Sequence, residues 1–329
     1  MEFRTVVELP EKMPPICHAG KILLMGSCFA ENMGRLLSEN KFDIDVNPFG
    51  ILYNPLSLQR ALEEIMEGKV YEPGELFLYR SCWHSPMHHS SFSDLNKDTV
   101  LTKINARLQN AYCSFSKLDW IILTFGTAYV YERKEDGMVV GNCHQLPEKT
   151  FVRRMITPEE IMAVYRPLLQ KIKKTCSAVK VLLTVSPIRH IRDGLHGNQV
   201  SKSVLLLATD QLRKEFPEFV FYFPSYEIIL DELRDYRFYA DDMVHPSDLA
   251  VRYLWKCFSE TFFTAETRQI ISEVESISRD ILHRPFRPNS DAYQRFLEQI
   301  VLKIERLNRK YPYLDFQKEK ELCHIRLNS

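Results

Sequence analysis

The chain has 329 residues, 45% of them apolar, enough for one large α/β domain with an appendage or for two smaller domains, and too apolar for general disorder. Lys+Arg and Asp+Glu each number 43, so the formal net charge is zero. A protein that tracks nucleic-acid phosphates needs a basic excess or stripe; the nearest approach, Lys171 to Lys174, reads as the solvated face of one helix, and no nucleic-acid partner is expected.

The first strong element is an apolar strand at Lys21–Met25, followed by a helix over 28–38 in which Phe29, Met33, Leu36 and Leu37 keep helical spacing. Ser27 falls between them, at the strand's carboxyl end and beside the free N–H groups of the helix's first turn. A serine there can act as a nucleophile, or it can simply cap the helix. A strand at Phe42–Val46 and a helix at 56–67 come next. Residues 69–96, rich in Tyr, Trp, His and Ser and without helical period, form a first insertion before a helix at about 98–115. The strand Trp120–Phe125 leads into a second insertion, 127–146, which reads as a hairpin. Tyr129-Val130-Tyr131 would pair with Met138-Val139-Val140 around an Asp136-Gly137 turn. A helix over 157–176 starts at Thr157-Pro158-Glu159-Glu160, with threonine as cap, proline at the first position and glutamate at the third. A strand at Val179–Val185, a helix at 199–215 and a weaker strand at Phe219–Phe223 complete the alternation. The runs at 120 and 179 are continuously apolar, as in strands covered on both faces, so a mostly parallel sheet with helices on both sides is expected.

Asp242-Met243-Val244-His245 then precedes a helix whose apolar face includes Leu254, Cys257, Phe258 and Phe262. Three-residue spacing on a turn can bring the carboxylate to the imidazole and leave the other ring nitrogen free to take a proton from a serine. Asp241 is equally placed for that, and a structural capping role would explain the same residues. After about Thr264 the chain becomes helical, with Ser290 as a cap and Phe296, Ile300, Ile304 and Leu307 on one face. Domains are therefore drawn at 1–263 and 264–329, the tail packing on its own domain or building a homodimer.

No apolar run approaches membrane-spanning length, Trp120 to Tyr131 being too short, and the N-terminus lacks the apolar core of a signal peptide. With eight scattered cysteines and no CxxC pair, the expectation is a cytoplasmic protein with reduced thiols and no membrane partner. His84, His88, His89 and Asp94 invite a metal reading, but Pro86 blocks the helical geometry that would join His84 to His88. No metal or cofactor is expected. Cys28, at the same helix start as Ser27, reads as a structural thiol. Arg189 and His190 follow a strand on the ligand side of the sheet and can contact an acyl or anionic group.

Taken together, these words resemble a known family. A serine after the first strand and Asp-x-x-His before the last core helix is the layout of the SGNH (GDSL-like) hydrolases, and Gly26-Ser27-Cys28-Phe29-Ala30 is similar to the name-giving motif of their GSCFA branch. Asn47 to Pro55, Phe125-Gly126-Thr127-Ala128, Asn142-Cys143-His144, Val185 to His190 and Asp242 to Pro246 resemble it too. The resemblance implies a flavodoxin-like three-layer α/β/α sandwich with about five parallel strands, plus the helical extension. It implies ester chemistry without a metal, with Ser27 as nucleophile, His245 as base and Asp242 as its orienter. Oxyanion donors would be the backbone N–H groups of Ser27 and Gly50. The superfamily's further donor is an asparagine side chain, and Ala128 stands at that place; Thr127 or Asn142 could substitute. His89, within a family-like His89-Ser90 word, could line the pocket with Arg189 and His190. The expected function is a serine esterase acting on an acylated carbohydrate or small ester. An acyltransferase using the same triad, and a non-catalytic binding or scaffold protein, are the alternatives.

Overall fold

The computed structural model describes residues 4–283, 285–286 and 290–327. Its centre is a sheet of β1 (Lys21–Gly26), β2 (Asp43–Val46), β5 (Trp120–Phe125), β8 (Lys180–Val185) and β9 (Val220–Phe223). The order is β2-β1-β5-β8-β9 and every neighbouring pair is parallel. This is the flavodoxin-like order, and the expectation of a three-layer α/β/α sandwich holds.

Why the strands read as continuous apolar runs is visible in their two faces. Leu23, Met25, Ile121, Leu123, Val181 and Leu183 enter one core with α2 (Pro55–Met66), α3 (Lys97–Phe115), α4 (Pro158–Thr175) and α5 (Gly194–Glu215). Their neighbours Ile22, Leu24, Trp120, Ile122 and Leu182 enter the opposite core with α1 (Cys28–Glu39) and α7 (Asp248–Phe262). Both faces are dry, so no polar alternation is required. Between β9 and α7 lie α6 (Ser225–Glu227), continued as a π-helical turn over Ile228–Glu232, a 3-10 turn at Tyr236–Phe238, and the loop that carries Asp242 and His245.

The chain leaves β1 toward the α1 face and leaves β5 toward the α4 face. β1 and β5 are neighbours, paired Ile22↔Trp120 through Gly26↔Thr124, so a crevice opens between their carboxyl ends. In open parallel sheets this switch point is where ligands bind.

The first insertion folds as a short antiparallel pair, β3 (Phe77–Tyr79) and β4 (Cys82–His84). The second corrects the sequence reading. Its turn is present, with Gly137 at φ 71° and Arg133 N–H donating to Met138 O, but only a bridge, Glu132↔Val139, joins the expected arms. The ladder of β6 (Tyr129–Arg133) runs instead with β7 (Phe151–Met155), from Tyr129↔Met155 to Arg133↔Phe151. Arg153 and Arg154 make β7 look like a loop in sequence. In the fold, Arg153 pairs with Asp193, and Arg154 with Glu132 and Glu160.

The C-terminal helices α8 (Ala265–Leu282), α9 (Asp291–Lys310) and α10 (Gln317–Leu327) share a third core. Ser290 caps α9 as expected, its Oγ accepting Tyr293 N–H, and Ile300, Ile304 and Leu307 are buried with Phe296 packed at the edge. The tail packs on its own domain through Ile271 of α8, the Lys41–Glu319 ion pair at 2.6 Å and the His18–Tyr313 ring contact. No described helix is long and apolar enough to cross a membrane.

Candidate functional site

A cavity of about 560 Å³ lies over the crevice, bordered by residues from every loop that leaves this end of the sheet. Cys28 begins α1, Tyr53 and Asn54 precede α2, and Thr127 follows β5. Ile188 to Arg189 and His190 follow β8, and Val244 and His245 come from the loop before α7. The second insertion supplies the outer wall with Tyr129, Tyr131, Asn142, Phe151 and Arg153.

Asp242 and His245 meet as the spacing predicts. His245 Nδ1 lies 2.6 Å from Asp242 Oδ2, while Asp242 Oδ1 accepts the backbone N–H groups of Val244 and His245, each at 2.9 Å. Met243, at φ 57°, makes the tight turn that permits this. Hydrogen bonds from the His245 N–H, the His245 ring and the Val244 N–H hold the carboxyl pKa down to about 2. With Nδ1 engaged by the carboxylate, Nε2 is the imidazole's free acceptor. Asp241 makes none of these contacts.

Ser27 sits at the end of β1, 1% exposed, and is an N-cap: its Oγ accepts Phe29 N–H at 3.3 Å. Ser27 does not itself border the cavity; the next residue, Cys28, does. No hydrogen bond joins Ser27 Oγ to His245 among the described residues. Burial pushes the Cys28 thiol's pKa up, Tyr53 OH standing 3.7 Å from its sulfur, so Cys28 is not an activated thiolate.

The expected oxyanion donors are less free than the resemblance implies. Ser27 N–H points to Thr124 O at 3.4 Å, a long bond, and Gly50 N–H closes a turn on Asn47 O at 2.7 Å. Gly50 is required for another reason: at φ 75° any Cβ would fall 2.2 Å from His89 Cβ. His89 packs there, its Nδ1 accepting Ser91 N–H, and does not border the cavity. Thr127 borders it, but its Oγ1 is held between Ser201 Oγ and Tyr129 N–H. Asn142 is brought in as expected, its loop fixed by Gly141 and Asn142 N–H on Pro86 O. Asn142 Oδ1 accepts His144 N–H at 2.8 Å, which leaves the amide nitrogen for the cavity.

Arg189 and His190 both border the cavity. Arg189 stacks on Tyr239 at 4.1 Å. His190 packs its ring edgewise on Tyr53, and its Nε2 is buried without a hydrogen-bond partner. Desolvation, reinforced by Lys202, His245 and Arg153, pushes the His190 pKa down to about 3, so the ring is neutral. Near it lies a residue that nothing in the sequence marks out. Lys202 of α5 is 1% exposed, and its Nζ donates to Gly126 O at 2.6 Å and Ser186 O at 2.7 Å, tying together the segments that follow β5 and β8. Burial pushes its pKa down to about 7. A lone lysine on an amphipathic helix reads as solvated, and only the fold shows otherwise.

The histidines of the first insertion are structural. His88 is fully buried, stacked on Phe49 at 4.5 Å with Ser85 Oγ on its Nδ1, and His144 Nε2 lies 2.7 Å from Ser85 O. Among the described residues, no group of three or more His, Cys, Asp or Glu is disposed to hold a metal ion.

The fold and site define an open parallel α/β protein whose pocket lies at the switch point, with a carboxylate–imidazole pair on its rim. The chain belongs to the GSCFA family: the GSCFA family model matches residues 21–258, and the model of the GSCFA domain protein, C-terminal domain, matches 274–329. A solved structure described as "a putative platelet activating factor from Streptococcus pneumonia" is similar over 74% of this chain and 83% of its own, at 12% identity and a TM-score of 0.38, too distant to carry an argument. No curated protein matches the chain.

Proposed function

We propose that this protein is an SGNH-type serine esterase that forms an acyl-enzyme on Ser27. The observation that carries this reading is that one cavity is bordered both by His245, paired with Asp242, and by Cys28, the residue that follows Ser27 in the β1–α1 turn. In the reaction, Ser27 Oγ leaves its capping bond and attacks the ester carbonyl carbon, its proton passing to His245 Nε2. The carbonyl carbon–alkoxy oxygen bond then breaks and the alcohol departs with that proton. Water repeats the sequence on the acyl-enzyme, releasing the acid and restoring Ser27. Asp242, ionised through all but strongly acidic conditions, holds the ring in the tautomer this requires and stabilises the imidazolium.

Tyr129, Tyr131 and Phe151 along the outer wall suit an apolar or sugar face on the substrate, consistent with an acylated carbohydrate. The test is incubation with a fluorophosphonate probe and a short-chain aryl acetate, alongside Ser27→Ala and His245→Ala. Labelling at Ser27 and hydrolysis lost in both variants are expected. No labelling, with hydrolysis no faster than in the variants, refutes the reading.

A further inference from the structure

The esterase reading leaves one gap, a side-chain donor for the oxyanion where Ala128 stands. The structure offers a group at the right place. Gly126, at the end of β5, is where this group approaches Ser27, and a Cβ on it would first meet Tyr53 O at 3.0 Å. A methyl group there would lie 3.4 Å from His190 Nε2 and 3.4 Å from Ser27 Cβ. The imidazole nitrogen and the Ser27 Cβ thus both lie beside the Gly126 backbone. His190 Nε2 is buried and has no partner within the protein. A buried ring nitrogen without a partner costs free energy, which a ligand oxygen can recover.

We propose that His190 is a catalytic residue of this site, its neutral imidazole donating the Nε2 proton to the oxyanion that develops on a substrate acyl group attacked by Ser27. This rests on the serine-esterase reading above. A neutral imidazole carries one N–H, and that proton must sit on Nε2 for the role. The ring is fixed by its own chain: Asn198 Oδ1 of α5 accepts the His190 backbone N–H at 2.9 Å, and Tyr53 bounds one edge. Lys202 lies nearby, its Nζ engaged by Gly126 O and Ser186 O. The Asn142 amide nitrogen is another free donor, placed on the outer wall of the cavity, and the remaining candidates are more constrained. Thr127 Oγ1 already accepts from Tyr129 N–H. Asn47 Nδ2 is also buried and unpartnered, but Asn47 does not border the cavity, and its Oδ1 is fixed on Gly26 N–H at 2.9 Å.

The experiment compares wild type, His190→Ala and His190→Gln on a short-chain aryl acetate, with fluorophosphonate labelling and thermal unfolding measured on each. Loss of an oxyanion donor lowers kcat about 10²–10³-fold with a much smaller change in KM. His190→Gln, whose amide keeps an N–H donor but cannot act as a base, restores most of that loss. The melting temperature of His190→Gln stays close to wild type, because Nε2 holds nothing in the folded chain, while His190→Ala, which also loses the ring's packing on Tyr53, falls further. An active, labelled wild type matched by an equally active His190→Ala overturns the donor role and leaves the esterase reading standing. So does a His190→Gln as inactive as His190→Ala, which would make His190 a proton acceptor. A wild type that neither labels nor hydrolyses removes the esterase reading itself.

Discussion

On the proposed reading Ser27 would serve two functions that pull on the same oxygen, and substitutions can separate them. As the N-cap of α1 it satisfies Phe29 N–H; as a nucleophile it must release that bond. Replacing a capping serine by alanine typically costs about 1 kcal/mol, whereas glycine costs only a few tenths. Ser27→Ala and Ser27→Gly are therefore both expected to be inactive toward the aryl acetate. Only Ser27→Ala shows the larger fall in stability by denaturant titration; equal activity in wild type and Ser27→Gly would leave the cap as the residue's sole role. At Asp242 the same separation is available by titration. Its carboxyl pKa is held near 2, first by the His245 backbone N–H and then by the ring. A depressed carboxyl stabilises the loop above the ordinary carboxylate range, and that contribution is lost as pH falls through about 2. In His245→Ala the backbone donors remain, so the Asp242 titration followed by NMR should rise only part of the way to an ordinary aspartate. A full return would show that the ring, not the turn, sets it.

At the scale of elements, α5 acts as a clamp. Lys202 Nζ bridges the carbonyls of Gly126 and Ser186, and a neutral amine has just enough N–H groups for both. With its pKa lowered from 10.5 to about 7, the folded chain releases a proton that the unfolded chain keeps throughout that interval. The unfolded state then binds more protons, so stability is expected to rise with pH between about 7 and 10. Lys202→Met should flatten that slope, as measured by denaturant titration across the interval. An unchanged slope in the variant would place its origin elsewhere. Such a residue marks the limit of reading from sequence. The five core strands were legible because burial on both faces writes an unbroken apolar run, and the Asp242–His245 turn was legible because its contacts are local. Lys202 was not, since the carbonyls that bury it come from segments 76 and 16 residues away. β7 was hidden likewise, its two arginines neutralised by partners on other elements. The free or committed state of the Gly50 N–H depended on a turn conformation that no spacing records.

The whole molecule is built on three apolar cores, and α8 belongs to two of them. Its Ile271 enters the sheet core beside Phe263, while Ile270, Val274, Ile277 and Ile281 enter the core shared with α9 and α10. Further ties include Thr267 Oγ1 to Ile16 O, Arg268 Nη1 to Phe263 O, the Lys41–Glu319 pair and the His18–Tyr313 contact. The cavity draws no residue from α8, α9 or α10. A defect confined to the third core should therefore loosen the tail without disturbing the chemistry. Ile300 is a suitable place, 1% exposed and central on α9. Ile300→Ala removes a buried side chain at a cost of about 2–5 kcal/mol, a large share of what a core of this size can contribute. On heating, that variant is expected to lose the helical signal of the tail in an early step. Fluorophosphonate labelling of Ser27 should persist beyond that step and disappear only in a later one. Coincident loss of helix signal and labelling in one transition would show instead that α8 couples the cores into one cooperative unit. The tail would then support the site through the sheet rather than by contact with it.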